Sequence, residues 1–333
     1  MTDFTELVDL AAEALGGTVI AANDEFFAPK EALLKPTPAE WREGAYTERG
    51  KWMDGWETRR RRSPGYDWAI IHLGAAGVVR GVVIDTAFFR GNYPESASIE
   101  GCEVAGTPSA DALMNPSVAW STLLPQAQLA GDAKNAFALD DHGRVTHLRL
   151  NIFPDGGVAR LRVHGDVRPI PHDGDNPVSD LAAIETGGYS VVCSDMFFGH
   201  RQNLIMPGRS THMGNGWETQ RRRGPGHDWT IIRLGSAGEI EWAELDTDHF
   251  KGNAPDSCML EACFLPDAST AMLLDPALPW TEIVPQEKLQ PHSRHRFDAR
   301  PGSPATHVRL NIFPDGGVAR LRLFGRRTGT VRP

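Results

Sequence analysis

Glu57 and Asp67 stand on either side of a run of four arginines, Arg59 to Arg62, in DGWETRRRRSPGYDWAIIHLG (Asp54 to Gly74). The arrangement returns as NGWETQRRRGPGHDWTIIRLG (Asn215 to Gly235), with Glu218, Arg221 and Asp228 in matching places and 15 of 21 positions identical. Carboxylates near guanidinium groups form bidentate, charge-assisted pairs, and a carboxyl placed beside a substrate can transfer protons. The pattern predicts arginines held by Glu57 and Asp67, and by Glu218 and Asp228, within a folded site. Trp56 and Glu57 before the run, and Gln220 in place of its first arginine, argue against a nucleic-acid patch.

A second stretch, RLNIFPDGGVARLR, runs from Arg149 to Arg162 and again, letter for letter, from Arg309 to Arg322. Alternation predicts a β-hairpin: one strand over His147 to Ile152, a Pro-Asp-Gly-Gly turn, and a second strand over Val158 to His164. Leu148, Leu150, Ile152, Ala159, Leu161 and Val163 then face the core. His147, Arg149, Asn151, Arg160 and Arg162 face the other way, as do His307, Arg309, Asn311, Arg320 and Arg322 in the second copy. Core packing explains the repeated aliphatics, but not the repeated polar side chains. The neighbouring segments Val104–Thr146 and Phe264–Thr306 share little. The polar face is therefore expected to bind an anion or to form a buried ionic network.

These motifs belong to a repeat that covers nearly the whole chain of 333 residues. DLAAEALGG (Asp9 to Gly17) answers DLAAIETGG (Asp180 to Gly188), and DTAFFRGNYP (Asp85 to Pro94) answers DTDHFKGNAP (Asp246 to Pro255). A period of 160 to 171 residues makes each copy a whole domain rather than a solenoid unit. The boundaries read as repeat 1 at 1–168, a Pro-, Asp- and Gly-rich linker at 169–178, and repeat 2 at 179–333. Each copy opens with a short helix, from Leu7, Leu10, Ala11 and Ala14 to the stop at Gly16-Gly17. Segments such as DWAIIHL and VVRGVVIDTAFF then read as short strands split by turns. The predicted fold is all-β: two antiparallel β-sandwiches of the jelly-roll kind from an internal duplication. Repeat 1 carries about ten extra residues between Leu34 and Asp54, expected as a surface loop.

Composition narrows the function. The net charge is −9, which disfavours a general nucleic-acid or anionic-membrane binder. No apolar run is long enough for a membrane helix, and the acidic N-terminus lacks a signal-peptide pattern. Four cysteines without a CxxC pair suit a reducing compartment, so the expected location is cytoplasmic. GAYTERGK departs from a phosphate-binding loop in glycine spacing, and Trp52 stands where Ser or Thr would bind magnesium. HExxH and G-x-S-x-G are missing, and His292-x-x-His295 is a weak pair. No cofactor and no dedicated metal cage are expected.

GWETRRRR, GYDWAIIHLG, VIDTAFFRGN and THLRLNIFPDGGVARLRVHG, in two copies, resemble the allantoicase family over essentially the whole chain. The resemblance implies hydrolysis of allantoate to ureidoglycolate and urea in purine and allantoin catabolism. It implies two jelly-roll repeats of the galactose-binding-like kind and a homo-oligomer. The residues suit such a substrate, a small carboxylate with two ureido groups. Arg60, Arg149, Arg160, Arg162, Arg221, Arg309, Arg320 and Arg322 are candidates for the carboxylate, and Asn151 and Asn311 for the ureido groups. Glu57, Asp67, His147, Glu218, Asp228 and His307 are the candidate acids and bases, with Asp85 and Asp246 behind them. The competing reading is a non-catalytic pair of modules that bind a small anionic or sugar-like ligand. The copies differ at Asp54/Asn215, Tyr66/His227, His72/Arg233 and Ala87-Phe88/Asp248-His249, so they need not be equivalent.

Overall fold

The computed structural model describes residues 3–169 and 177–329. The chain divides into two compact units, Met1–Pro169 and Ile170–Pro333. Most of the predicted linker lies outside the described residues. Each unit is an antiparallel β-sandwich built on eight strands. No helix among the described residues is long and apolar enough to cross a membrane.

In repeat 1 a 19-residue strand, Asp67–Asp85, organises the domain. The two strands expected here are one continuous element that changes partners along its length. Its first half pairs with Thr18–Ala22 and Arg144–Phe153. Its second half pairs with Lys134–Ala138 and Arg160–Val167. The exchange falls at Gly77, which lies opposite both Val145 and Val167. A Cβ there would sit 2.3 Å from the Asp166 carbonyl oxygen, so glycine alone permits the crossing. Ser96–Cys102 and Ser121–Gln128 extend one side, and Val8–Asp9 closes the other. Ala69, Ile71, Val82, Ile84, Leu148, Leu150, Ile152, Leu161 and Val163 form the fully buried core. Each large aliphatic contributes about 1.5–3 kcal/mol on burial. Repeat 2 repeats the plan around Asp228–Asp246.

Two expectations change. The helix at the start of repeat 1 is a pair of single 3-10 turns, Phe4–Glu6 and Glu13–Leu15, around the strand Val8–Asp9. Asp9 caps both the next turn and the sheet: its Oδ1 accepts from Ala11 N at 3.2 Å and Val163 N at 2.9 Å. Pairing to the sheet outweighs the helical spacing of the apolar residues.

The repeated stretch is not a hairpin. Arg144–Phe153 and Arg160–Val167 pair with different halves of the long strand, not with each other. The turn between them instead pairs with Trp56–Glu57, placing Gly157 opposite Glu57 and Val158 opposite Trp56. Gly157 is required because a Cβ would overlap the Phe89 ring at 1.9 Å. Gly156 has φ 139°, and a Cβ on it would meet Pro94 N at 2.7 Å. The stretch thus ties three segments together at one end of the sandwich.

Candidate active site

Glu57 lies where these segments meet. Its backbone is fixed by Gly157 on one side and by an isolated bridge to Ala28 on the other. Thr58 hydrogen-bonds both ways with Gly156, its Oγ1 accepting from Gly156 N at 3.1 Å. Gly157 N donates to the Asn92 carbonyl at 2.7 Å, which holds the Gly-Asn loop against the same turn. The Asn92 side chain then donates from Nδ2 to Glu57 Oε1 at 2.7 Å. Glu57 is 9 % exposed, and burial pushes its carboxyl above the ordinary carboxylate range, with the Asn92 hydrogen bond pulling against it.

Two adjoining hollows, of about 580 and 420 Å³, share Phe27, Glu57, Gly91 and Asn92. The larger is walled by Trp41, Lys51, Met53, Phe88 and Arg90. The smaller is walled by Arg60, Tyr93, Glu95 and the Pro154-Asp155-Gly156 turn. Lys51 Nζ sits 3.9 Å over the Trp41 ring, and Trp41 packs on Phe88 at 5.7 Å between centroids. Trp41, Lys51 and Met53 belong to the insertion, which is a wall of the cavity and not only a surface loop. Arg60 is exposed and has no ion pair or hydrogen bond among the described residues. A buried proton-transfer group, apolar walls and nearby cations can hold and cleave a small anion.

The structure brings Glu57 and Arg60 together and sends the other predicted residues elsewhere. No arginine among the described residues pairs with Glu57, contrary to expectation; the arginine run is held by Asp24, which bonds Arg59, and by Asp67, which accepts from Arg61 Nη1 at 2.6 Å. Asp67 also accepts from Asn23 at 2.8 Å. Asp228 is likewise occupied by Arg222 and by Ser194 Oγ at 3.0 Å. His147 lies opposite His72 and Cys102, five residues along its strand from Ile152 at the Asp67 end. It is fully buried against Thr146 Oγ1 at 2.8 Å, and burial, then His72, lowers it to about 4. His307 matches it: Thr306 Oγ1 at 3.0 Å, lowered to about 4 by burial and then Arg233.

The predicted polar face is split into two ionic networks. Arg149 and Asn151 both donate to Glu100 Oε2 at 2.8 Å, with Trp120 stacked on the guanidinium at 4.8 Å. This face is covered rather than solvated, because Leu113 and Trp120 fold over Ile70. Arg309, Asn311, Glu261 and Trp280 reproduce the arrangement. Arg160 is 2 % exposed, and its donors go to the carbonyls of Thr37, Pro38, Asp54 and Ala159 and to Asp54 Oδ2 at 2.6 Å. Burial works against ionisation of Asp54, but hydrogen bonds from Arg160 and Lys35 hold it down at about 2. Arg162 reaches the Lys35 carbonyl and Asp9. These arginines anchor the insertion. Arg320 bonds the Gly208 and Asn215 carbonyls, and Arg322 those of Met206 and Gly208.

Asn92 gives no signal by residue type, although it recurs as Asn253 in the second copy. Trp41, Lys51 and Met53 carried no repeat signal, since one copy alone has them. His292 and His295 do not converge: His292 Nδ1 accepts from His249 N, and His295 Nε2 from Gln290 N, each at 2.8 Å. No three His, Cys, Asp or Glu side chains gather as metal ligands among the described residues.

Fold and site together define a duplicated β-sandwich protein with a cavity centred on a buried carboxyl. The allantoicase repeat model matches residues 8–168 and 179–328. Proteins named probable allantoicase from Pseudomonas paraeruginosa and Pseudomonas fluorescens are 50% and 49% identical over 327 residues, 97% of each chain. The crystal structure of allantoicase from Saccharomyces cerevisiae superposes with a TM-score of 0.81 at 36% identity, covering 96% of this chain and 93% of that one. The chain belongs to the allantoicase family.

Proposed function

We propose that the protein hydrolyses allantoate to ureidoglycolate and urea in purine catabolism, and that the chemistry takes place in repeat 1 at Glu57. Family membership supports the reaction. The observation that carries the site is the Glu57 carboxyl, buried, oriented by Asn92 and open to both hollows. Allantoate loses one ureido group as urea, and the carbon that held it gains a hydroxyl from water. The leaving nitrogen must acquire a proton, and the incoming water must lose one. A carboxyl raised by burial holds its proton at higher pH than an exposed one, so Glu57 donates it to the leaving nitrogen. The resulting carboxylate then takes a proton from water, which restores the starting state. Arg60 offers the substrate carboxylate a planar fork, and Trp41 and Phe88 give the ureido groups an apolar wall.

The direct test is the product pair. Purified protein given allantoate is expected to release urea and ureidoglycolate in equal amounts. Ammonia with ureidoglycine would assign a different reaction, and no turnover would favour the non-catalytic binding module. The working state proposed is a cytoplasmic homo-oligomer without cofactor or metal. The family resemblance supports assembly, and four cysteines without a CxxC pair suit a reducing compartment. Sedimentation gives the assembly, and activity after exhaustive chelation tests the metal.

A further inference from the structure

Repeat 2 keeps one half of the Glu57 site and has lost the other. Of the eleven residues around the smaller hollow, only Tyr93 and Glu95 differ, as Ala254 and Asp256. The geometry is kept with them. Asn253 Nδ2 donates to Glu218 Oε1 at 2.5 Å, and Thr219 Oγ1 accepts from Gly316 N at 3.1 Å. Asp315 accepts from Arg222 N at 2.8 Å, as Asp155 accepts from Arg61 N at 2.8 Å. Arg221, the counterpart of Arg60, is exposed and without a hydrogen bond or ion pair among the described residues.

The larger hollow's walls are what changed. The segment answering the insertion is shorter, so Trp41 has no counterpart. Phe88 becomes His249, whose Nε2 lies 3.1 Å from the Ser210 carbonyl. Phe198, which answers Phe27, is 61 % exposed, and Glu218 is less buried than Glu57. Structural support alone accounts for the turn, but it does not account for an exposed arginine, without a partner among the described residues, kept three residues from a half-buried carboxylate that Asn253 orients.

We propose that repeat 2 carries a second, open site for a carboxylate bearing a ureido group, formed by Arg221, Glu218 and Asn253, which binds without turnover. Arg221 takes the carboxylate, and Glu218 accepts a ureido N–H. Without the aromatic wall water stays in contact with the ligand, so proton transfer to a leaving nitrogen has no sheltered path. The ligand class rests on the function proposed above.

The test is ligand count. Labelled N-carbamoylglycine has one carboxylate and one ureido group, and equilibrium dialysis counts it on the full chain. Wild type is expected to bind two per chain. Arg221→Ala and Glu218→Ala should each lower this to one, and Glu57→Ala should also leave one. Arg221 is exposed and makes no hydrogen bond or ion pair among the described residues, so its variant guards against misfolding. A wild type that binds one or none, or a count that Arg221→Ala and Glu218→Ala both leave unchanged, overturns the proposal. If Glu57→Ala keeps full urea release and a full count while Arg221→Ala lowers the count, the second site stands and the assignment of chemistry to Glu57 falls.

Discussion

The two repeats share a scaffold and differ in what stands over it. In repeat 1 Asp54 binds Arg160 and Lys35, and the same arginine holds the carbonyls of Thr37 and Pro38. The insertion is thereby pinned, and its Trp41 and Lys51 wall the cavity beside Glu57. In repeat 2 Asn215 replaces Asp54, and among the described residues Arg320 bonds only carbonyl groups. Burial lowers Arg320 to about 10, with Arg322 adding to the effect. One charge in the scaffold and one insertion separate an enclosed carboxyl from an open one. Duplication preserved the turn that positions the carboxyl, while enclosure was free to diverge.

The sharpest way to break this comparison is Glu57→Gln. Loss of a proton-transfer group should lower kcat/KM by about 100- to 10,000-fold. Its folded carboxyl titrates above its ordinary value, so the stability it adds is present at low pH and lost as pH rises through the raised value. Glutamine stays neutral, so the variant should melt no lower than wild type at pH 7, with any advantage vanishing below pH 4.5. A drop in melting temperature together with activity would reduce Glu57 to a structural role.

Arg160→Met should cost up to about 3–5 kcal/mol of stability, because it breaks a buried ion pair and leaves Asp54 with only the part-exposed Lys35 as a cationic partner. Arg320→Met should cost less, since no carboxylate is stranded. Equal losses by chemical denaturation would contradict the difference in anchoring.

Arg60→Ala removes a charge-assisted bond worth about 1.5–3 kcal/mol, which is roughly 10- to 150-fold in kcat/KM. Melting temperature should hold. An unchanged kcat/KM would place the substrate carboxylate elsewhere, with Lys51 the next candidate.

The smallest effect should be shared by both repeats. His147 and His307 refuse a proton in the folded state until about pH 4, whereas an unfolded histidine accepts one near 6.5. Between these values the unfolded chain binds more protons, so stability falls as pH falls from 6.5 towards 4. His147→Gln and His307→Gln should each flatten that slope in melting experiments. A change in the pH profile of kcat/KM instead would return a histidine to the chemistry.

The β-class, the duplication and the buried aliphatic face were legible because alternation and repetition are local signals. The pairing of Arg144–Phe153 and Arg160–Val167 was not, since a hairpin and a crossover share one turn chemistry. Glu57 and Arg60 stood out by type and spacing. Arg149 and Arg160 looked equivalent to them, because sequence does not reveal that Glu100 and Asp54 already occupy their donors. Trp41 and Lys51 act only through the fold of an insertion that has no second copy for comparison.

The most direct measurement is a crystal structure of the Glu57→Gln protein soaked with allantoate. A ureido nitrogen is expected within about 2.6–3.2 Å of the residue 57 side chain, and the carboxylate on Arg60. Allantoate ordered elsewhere in repeat 1, with the cavity beside residue 57 empty, would contradict this placement.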